Sequence, residues 1–233
     1  MAELMVGQLV AGYGRREVLR GIDLQVHPGG VTALFGHNGA GKSTLLRCLA
    51  GLVHARAGQA RLDDQDILGW PAWRRRQHGL VLVPQQSAVF PGLTVGENLE
   101  LGARGLEHGE LERRMARVFA TFPALADRLR QLADSLSGGQ QRMLAVGIAL
   151  MGEPRVLLLD EPTIGLAPNL AQQLLDSVSR LTAELGLTTL VVEQNVQLTR
   201  ELCEYVYVMK VGKIIAAEPR DVFRARPELW SLF

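Results

Sequence analysis

Apolar and polar positions along this chain follow two different rhythms. Val31–Phe35 is a short apolar run that stops at Gly36, and residues 43–50 then follow helical spacing up to Gly51. Residues 80–83, 156–159 and 187–192 are further short runs rich in Leu and Val, the pattern of strands covered on both faces. Strands of this kind alternating with helices predict a mainly parallel sheet with crossover helices. Near the C-terminus, residues 205–209 and 213–216 flank Gly212 and predict a hairpin, and residues 221–233 predict a terminal helix or two.

The rhythm turns helical between residues 86 and 151. Thr94 and Glu97 have capping-box spacing and open a helix towards Ala103. Leu111, Met115, Val118, Phe119 and Phe122 share one helical face, with Glu112, Arg113, Arg114 and Arg117 opposite as a solvated face. The expected architecture is therefore one α/β domain, its core built from residues 1–85 and 152–233 around a helical subdomain over 86–151.

Composition adds mostly exclusions. At 233 residues and 47% hydrophobic, the chain suits one large globular unit. A net charge of +1 gives no electrostatic basis for nucleic-acid binding. Cys48 and Cys203 stand alone and read as buried thiols rather than a disulfide or metal frame. Neither a secretion signal nor a run of about 20 apolar residues is seen, so a cytoplasmic location is expected, with any membrane role exercised through a partner. Only three of the 25 basic residues are lysines: Lys42, Lys210 and Lys213.

One of those lysines sits in the first candidate site. Gly36, Gly39, Gly41, Lys42 and Ser43, with His37, Asn38 and Ala40 between them, fit G-x-x-x-x-G-K-[ST] between a predicted strand and a predicted helix. Such a loop turns backbone N–H groups and a helix N-terminus towards phosphate oxygens, and Thr44 joins the candidate ligands. Lys42 would supply a compact charge to the β- and γ-phosphates, and Ser43 a hydroxyl to Mg²⁺. With so few lysines, chance would produce this match in roughly a few such chains per thousand. A second strand, from Val156, ends in Asp160 and Glu161. The first carboxylate suits Mg²⁺ and the second suits the attacking water, which makes a P-loop NTPase the expectation.

Leu136-Ser137-Gly138-Gly139-Gln140, followed by Gln141-Arg142, opens a helix running to Met151. Ser137 and Gln140 also have capping-box spacing, and a glycine-rich helix start is itself an anion site. With this motif the chain resembles the ATPases of ABC transporters over essentially its whole length. The resemblance implies that Ser137, Gly138, Gly139 and Gln140 close on ATP held by the phosphate loop of a second ATPase subunit, in a head-to-tail dimer that uses ATP and Mg²⁺. It implies that Tyr13 stacks on adenine, and that Gln85 senses Mg²⁺ and the attacking water. It also implies that residues 90–99 receive a membrane subunit. Two positions depart from the general family pattern: Gln194 stands where a histidine usually meets the γ-phosphate, and Ala167 where an aspartate is usual. Together these resemble the second ATPase of branched-chain and related hydrophobic amino-acid importers; the alternatives are an ABC ATPase for urea, short amides or another solute, and a soluble non-transport ABC ATPase. The implied partners are integral-membrane permease subunits, a second ATPase subunit and an extracytoplasmic solute-binding protein, with the chain peripheral on the inner membrane face.

Overall fold

The structure, a computed structural model, describes residues 1–86, 88–103, 107–199 and 201–226. Its N-terminal portion is an antiparallel sheet that the apolar rhythm did not single out. Strands β1 (Leu4–Tyr13) and β2 (Arg16–Val26) pair as a hairpin. After β3 (Val31–Phe35) and α1 (Lys42–Leu49), β4 (Ala55–Leu62) returns to pair with β1, and β5 (Gln65–Asp66) finishes the order β2-β1-β4-β5. The exposed positions of these strands hold Met5, Gln8 and the arginines of β2 and β4, so the sequence shows no clean alternation there.

Helix α2 (Ala72–Gln77) and β6 (Leu80–Val83) lead into the helical stretch: α3 (Val95–Gly102), α4 (His108–Thr121), α5 (Pro123–Ala126), a 3₁₀ turn at Ala133–Ser135, and α6 (Gly138–Met151). Thr94 caps α3, accepting from Glu97 N–H at 3.2 Å while Thr94 N–H donates to Glu97 at 2.7 Å. The chain then re-enters the core through β7 (Val156–Asp160), α7 (Pro168–Leu185), β8 (Thr188–Glu193), α8 (Val196–Thr199), the hairpin β9 (Tyr205–Lys210) and β10 (Lys213–Pro219), and α9 (Arg220–Arg224). The rest of the expected C-terminal helical segment, residues 227–233, lies outside the described residues.

The main sheet has the order β10-β9-β3-β8-β7-β6 and is parallel except for β10. Successive residues of β7 face opposite ways, Leu157 and Leu159 towards the helical subdomain, Val156 and Leu158 towards α1 and the antiparallel sheet. Both faces are dry, which explains why these strands read as unbroken apolar runs.

Helix α1 is fixed at its far end by Arg75, only 3% exposed. Its guanidinium donates to Cys48 O at 2.7 Å, Leu49 O at 2.8 Å, Leu68 O at 2.9 Å and Trp70 O at 3.0 Å. A cation is favoured at a helix C-terminus, and the fork satisfies carbonyls that have no partner inside the helix. Arg75→Met should lower stability by about 2–4 kcal/mol, and Arg75→Lys should recover only part of this, because one ammonium cannot span the four carbonyls. Urea unfolding of the three proteins checks the order.

Candidate active site

Three parallel strands end at one edge of the main sheet, with Phe35 of β3 opposite Glu193 of β8 and Val192 of β8 opposite Asp160 of β7. Every loop leaving that edge therefore starts within one strand spacing of its neighbour. From Phe35 the chain wraps through Gly36 to Ser43. A Cβ on Gly36 would stand 2.4 Å from the Met209 carbonyl oxygen, and Gly41 adopts φ +115° as it hands the chain to α1. Ala40 N–H donates to His37 O at 3.1 Å, and Gly212 N–H, at the tip of the β9–β10 hairpin, donates to Ala40 O at 2.8 Å. The outcome is a braced backbone cradle running into a helix N-terminus, which suits a chain of phosphates.

Lys42 is buried in this cradle. Its ammonium donates to Gly36 O at 2.6 Å and His37 O at 3.1 Å, and pairs with Glu161 Oε1 at 3.1 Å. Ser43 Oγ donates to Asp160 Oδ1 at 2.9 Å, and Gln85 Nε2 donates to Glu161 Oε2 at 2.8 Å. Glu161 turns the chain at φ +46°, an uncommon conformation for a residue with a side chain, and its N–H returns to Val192 O at 2.9 Å. Burial pushes the Asp160 carboxyl above the usual range, while the Ser43 hydroxyl, Arg47 and Lys42 pull it back. Tyr13, Asn38, Gly39, Thr44 and Gln85 share one cleft of about 370 Å³ with Lys42, Ser43 and Glu161. Tyr13 is half-exposed at the tip of the β1–β2 hairpin, a ring offered at the rim.

The other candidates lie elsewhere. Ser137 caps α6, accepting from Gln140 N–H at 3.3 Å and donating its own N–H to Gln140 Oε1 at 3.0 Å. The segment from Ser137 to Gln140 does not line the phosphate cleft; Gly138 faces a neighbouring cleft with Asp134, Gln141 and Ile164. Gln194 is exposed and lines a third cleft together with Glu161, Thr163 and Glu193.

A family model described as ABC transporter matches residues 19–164. The chain belongs to the ABC transporter family. As an ABC ATPase it binds ATP and couples its hydrolysis to transport. It is 37% identical over 217 residues to the high-affinity branched-chain amino acid transport ATP-binding protein BraG of Pseudomonas aeruginosa, covering 93% of each chain. A probable branched-chain amino acid transport ATP-binding protein, LivF of Archaeoglobus fulgidus, is likewise 37% identical over 89% of this chain and 88% of that one. A nucleotide-free ATP-binding cassette from an ABC transporter superposes with a TM-score of 0.89 at 27% identity, covering 100% of this chain and 98% of the other. A bacterial exporter of the same superfamily with ATP bound reaches 0.83 at 26% identity, over 99% of this chain and 41% of that one. The same fold thus occurs in an exporter of the superfamily. Among the described residues no helix is long and apolar enough to cross a membrane.

Two residues of this ABC ATPase received no role from its sequence. Arg142, on the second turn of α6, donates to Pro84 O at 3.1 Å and to Gln85 O, so the helix opened by Ser137 to Gln140 grips the backbone beside Gln85. Glu193 closes β8 with a buried carboxylate, raised by burial and by the nearby charge of Glu161, against the pull of donors from Thr163 and Gln194. A charged residue ending a run that is apolar from Leu190 to Val192 was the available signal. Arg142→Met should leave the cradle intact but loosen the loop at Gln85. Amide hydrogen exchange at Gln85 and Gln86 should rise about tenfold, the worth of one charge-assisted hydrogen bond, with α1 unchanged.

Proposed function

We propose that this chain is the ATP-hydrolysing subunit of an importer for branched-chain or other hydrophobic amino acids. The observation that carries the solute class is its 37% identity, over almost the full length of both chains, to a bacterial branched-chain amino acid transport ATP-binding protein. In keeping with the family, its partners are integral-membrane permease subunits, which place it on the inner membrane face, and a second ATPase subunit, with a solute-binding protein feeding the system. Uptake of labelled leucine into vesicles carrying the reconstituted complex tests the class. Uptake of an amide such as urea but not leucine would sink it.

The site chemistry fits MgATP. The cradle from Gly36 to Thr44 supplies backbone donors, and Lys42 supplies the charge for the terminal phosphates. Ser43 Oγ and Asp160 Oδ1, 2.9 Å apart, are hard oxygen donors that would hold Mg²⁺, and Gln85 can add its amide oxygen. The ion would supply charge to the departing phosphoryl oxygens. Glu161 orients the attacking water and accepts its proton as the bond between the γ-phosphorus and the bridging oxygen breaks, giving ADP and phosphate. Gln85, hydrogen-bonded to Glu161, aligns that carboxylate, Gln194 donates its amide to the γ-phosphate from the edge of β8, and Tyr13 stacks on adenine. Ser137, Gly138, Gly139 and Gln140 serve the nucleotide of the partner subunit. Their separation from the cleft around Lys42 supports this reading.

Two substitutions separate these roles. Glu161→Gln should keep ATP affinity within about twofold and lower turnover by about a hundredfold or more, since the cradle survives and the base does not. Wild-type phosphate release by that complex would remove Glu161 from the mechanism. Ser137→Arg should spare nucleotide affinity in the isolated chain and abolish ATP-dependent dimerisation in light scattering. A collapse of monomer affinity would mean that Ser137 acts on its own subunit's nucleotide.

A further inference from the structure

Glu193 is 3% exposed, yet its carboxylate is fully engaged. Oε1 accepts from Thr163 N–H at 3.0 Å and from Thr163 Oγ1 at 2.7 Å, and Oε2 accepts from Gln194 N–H at 3.2 Å. Thr163 lies two residues beyond Glu161, in the turn that the positive φ of Glu161 begins. Gln194 is the first residue beyond β8. One oxygen thus anchors the loop leaving β7, and the other anchors the loop leaving β8.

Burying a carboxylate costs several kcal/mol unless it is paired and hydrogen-bonded, and an apolar residue could have ended the strand at no such cost. What the charge provides is acceptors for three donors on two loops, a task no neutral side chain can perform, because an amide has one oxygen and must present N–H on its other side. The guanidinium of Arg142, reaching in from the signature helix, adds an opposing charge nearby.

We propose that Glu193 is a positioning residue for hydrolysis: it locks the turn carrying Glu161 to the start of the Gln194 loop, so that the base and the γ-phosphate contact are set as one unit. This rests on the reading of Glu161 as the group that directs the attacking water.

The test uses the transporter complex assembled with its permease subunits, measuring turnover, KM for ATP, nucleotide affinity and melting temperature. Glu193→Gln should lower kcat about tenfold while KM and affinity stay within about twofold, because geometry at the base shifts while the cradle does not. Thr163→Val should lower kcat in the same sense, and Thr163→Ser should restore it. In single turnover, adding Glu193→Gln to Glu161→Gln should cost nothing further, since the group being positioned is already gone. The proposal is overturned if Glu193→Gln leaves kcat unchanged, if KM rises and nucleotide affinity falls along with kcat, or if the two losses multiply. Should Glu193→Gln fail to assemble, the Thr163→Val and Thr163→Ser pair decides alone: equal rates refute the clamp. Failure of the underlying reading has its own mark, namely wild-type turnover by Glu161→Gln.

Discussion

Everything at this site depends on the backbone register of β3, β8 and β7. Parallel pairing sets Phe35 beside Glu193 and Val192 beside Asp160, so three sequence-distant loops begin within a few ångströms of one another. No side chain could gather them if the strands slipped by one residue, because a slip would also turn each apolar set from one dry face to the other. The same alternation that buries Leu157 and Leu158 on opposite faces therefore fixes where Asp160 and Glu161 emerge.

The legible parts of the sequence were those with a local physical signature. Gly36 to Ser43, the Asp160–Glu161 pair after an apolar run, and the Ser137 capping box each announce themselves in a few residues, and the structure brings the first two together. The helix at Thr94 and the hairpin at Gly212 were equally local. The antiparallel sheet was not, since β1 and β4 pair across intervening elements and carry mixed exposure. Helix α7 is absent from the sequence expectations, although its spacing of Ala171, Leu174, Leu175 and Val178 is helical and Gly186 closes it in the left-handed region.

Arg142 and Glu193 escaped for another reason. Arg142 is held by Pro84, 58 residues away, and Glu193 by Thr163, 30 residues away, and one residue type in isolation carries no such information. Arg75 belongs with them: in sequence it is one of three consecutive arginines, but Arg74 lies over the Trp70 ring, Arg76 reaches Gly102 O, and only Arg75 is buried against carbonyls. Burial, which the sequence does not print, separates a solvated charge from a structural one.

On the proposed role of Glu161 as base, the Lys42–Glu161 pair would tie nucleotide capture to the release of that base. While Oε1 of Glu161 rests against the ammonium at 3.1 Å, that carboxylate's proton-accepting edge is spent on a protein cation. A triphosphate entering the cradle would offer Lys42 a stronger anion, and that exchange of partners would leave Oε1 of Glu161 unpaired beside the bond to be broken. With Glu161 in its proposed role, the site would hold an interlock: water would meet no unpaired Oε1 until a nucleotide had docked.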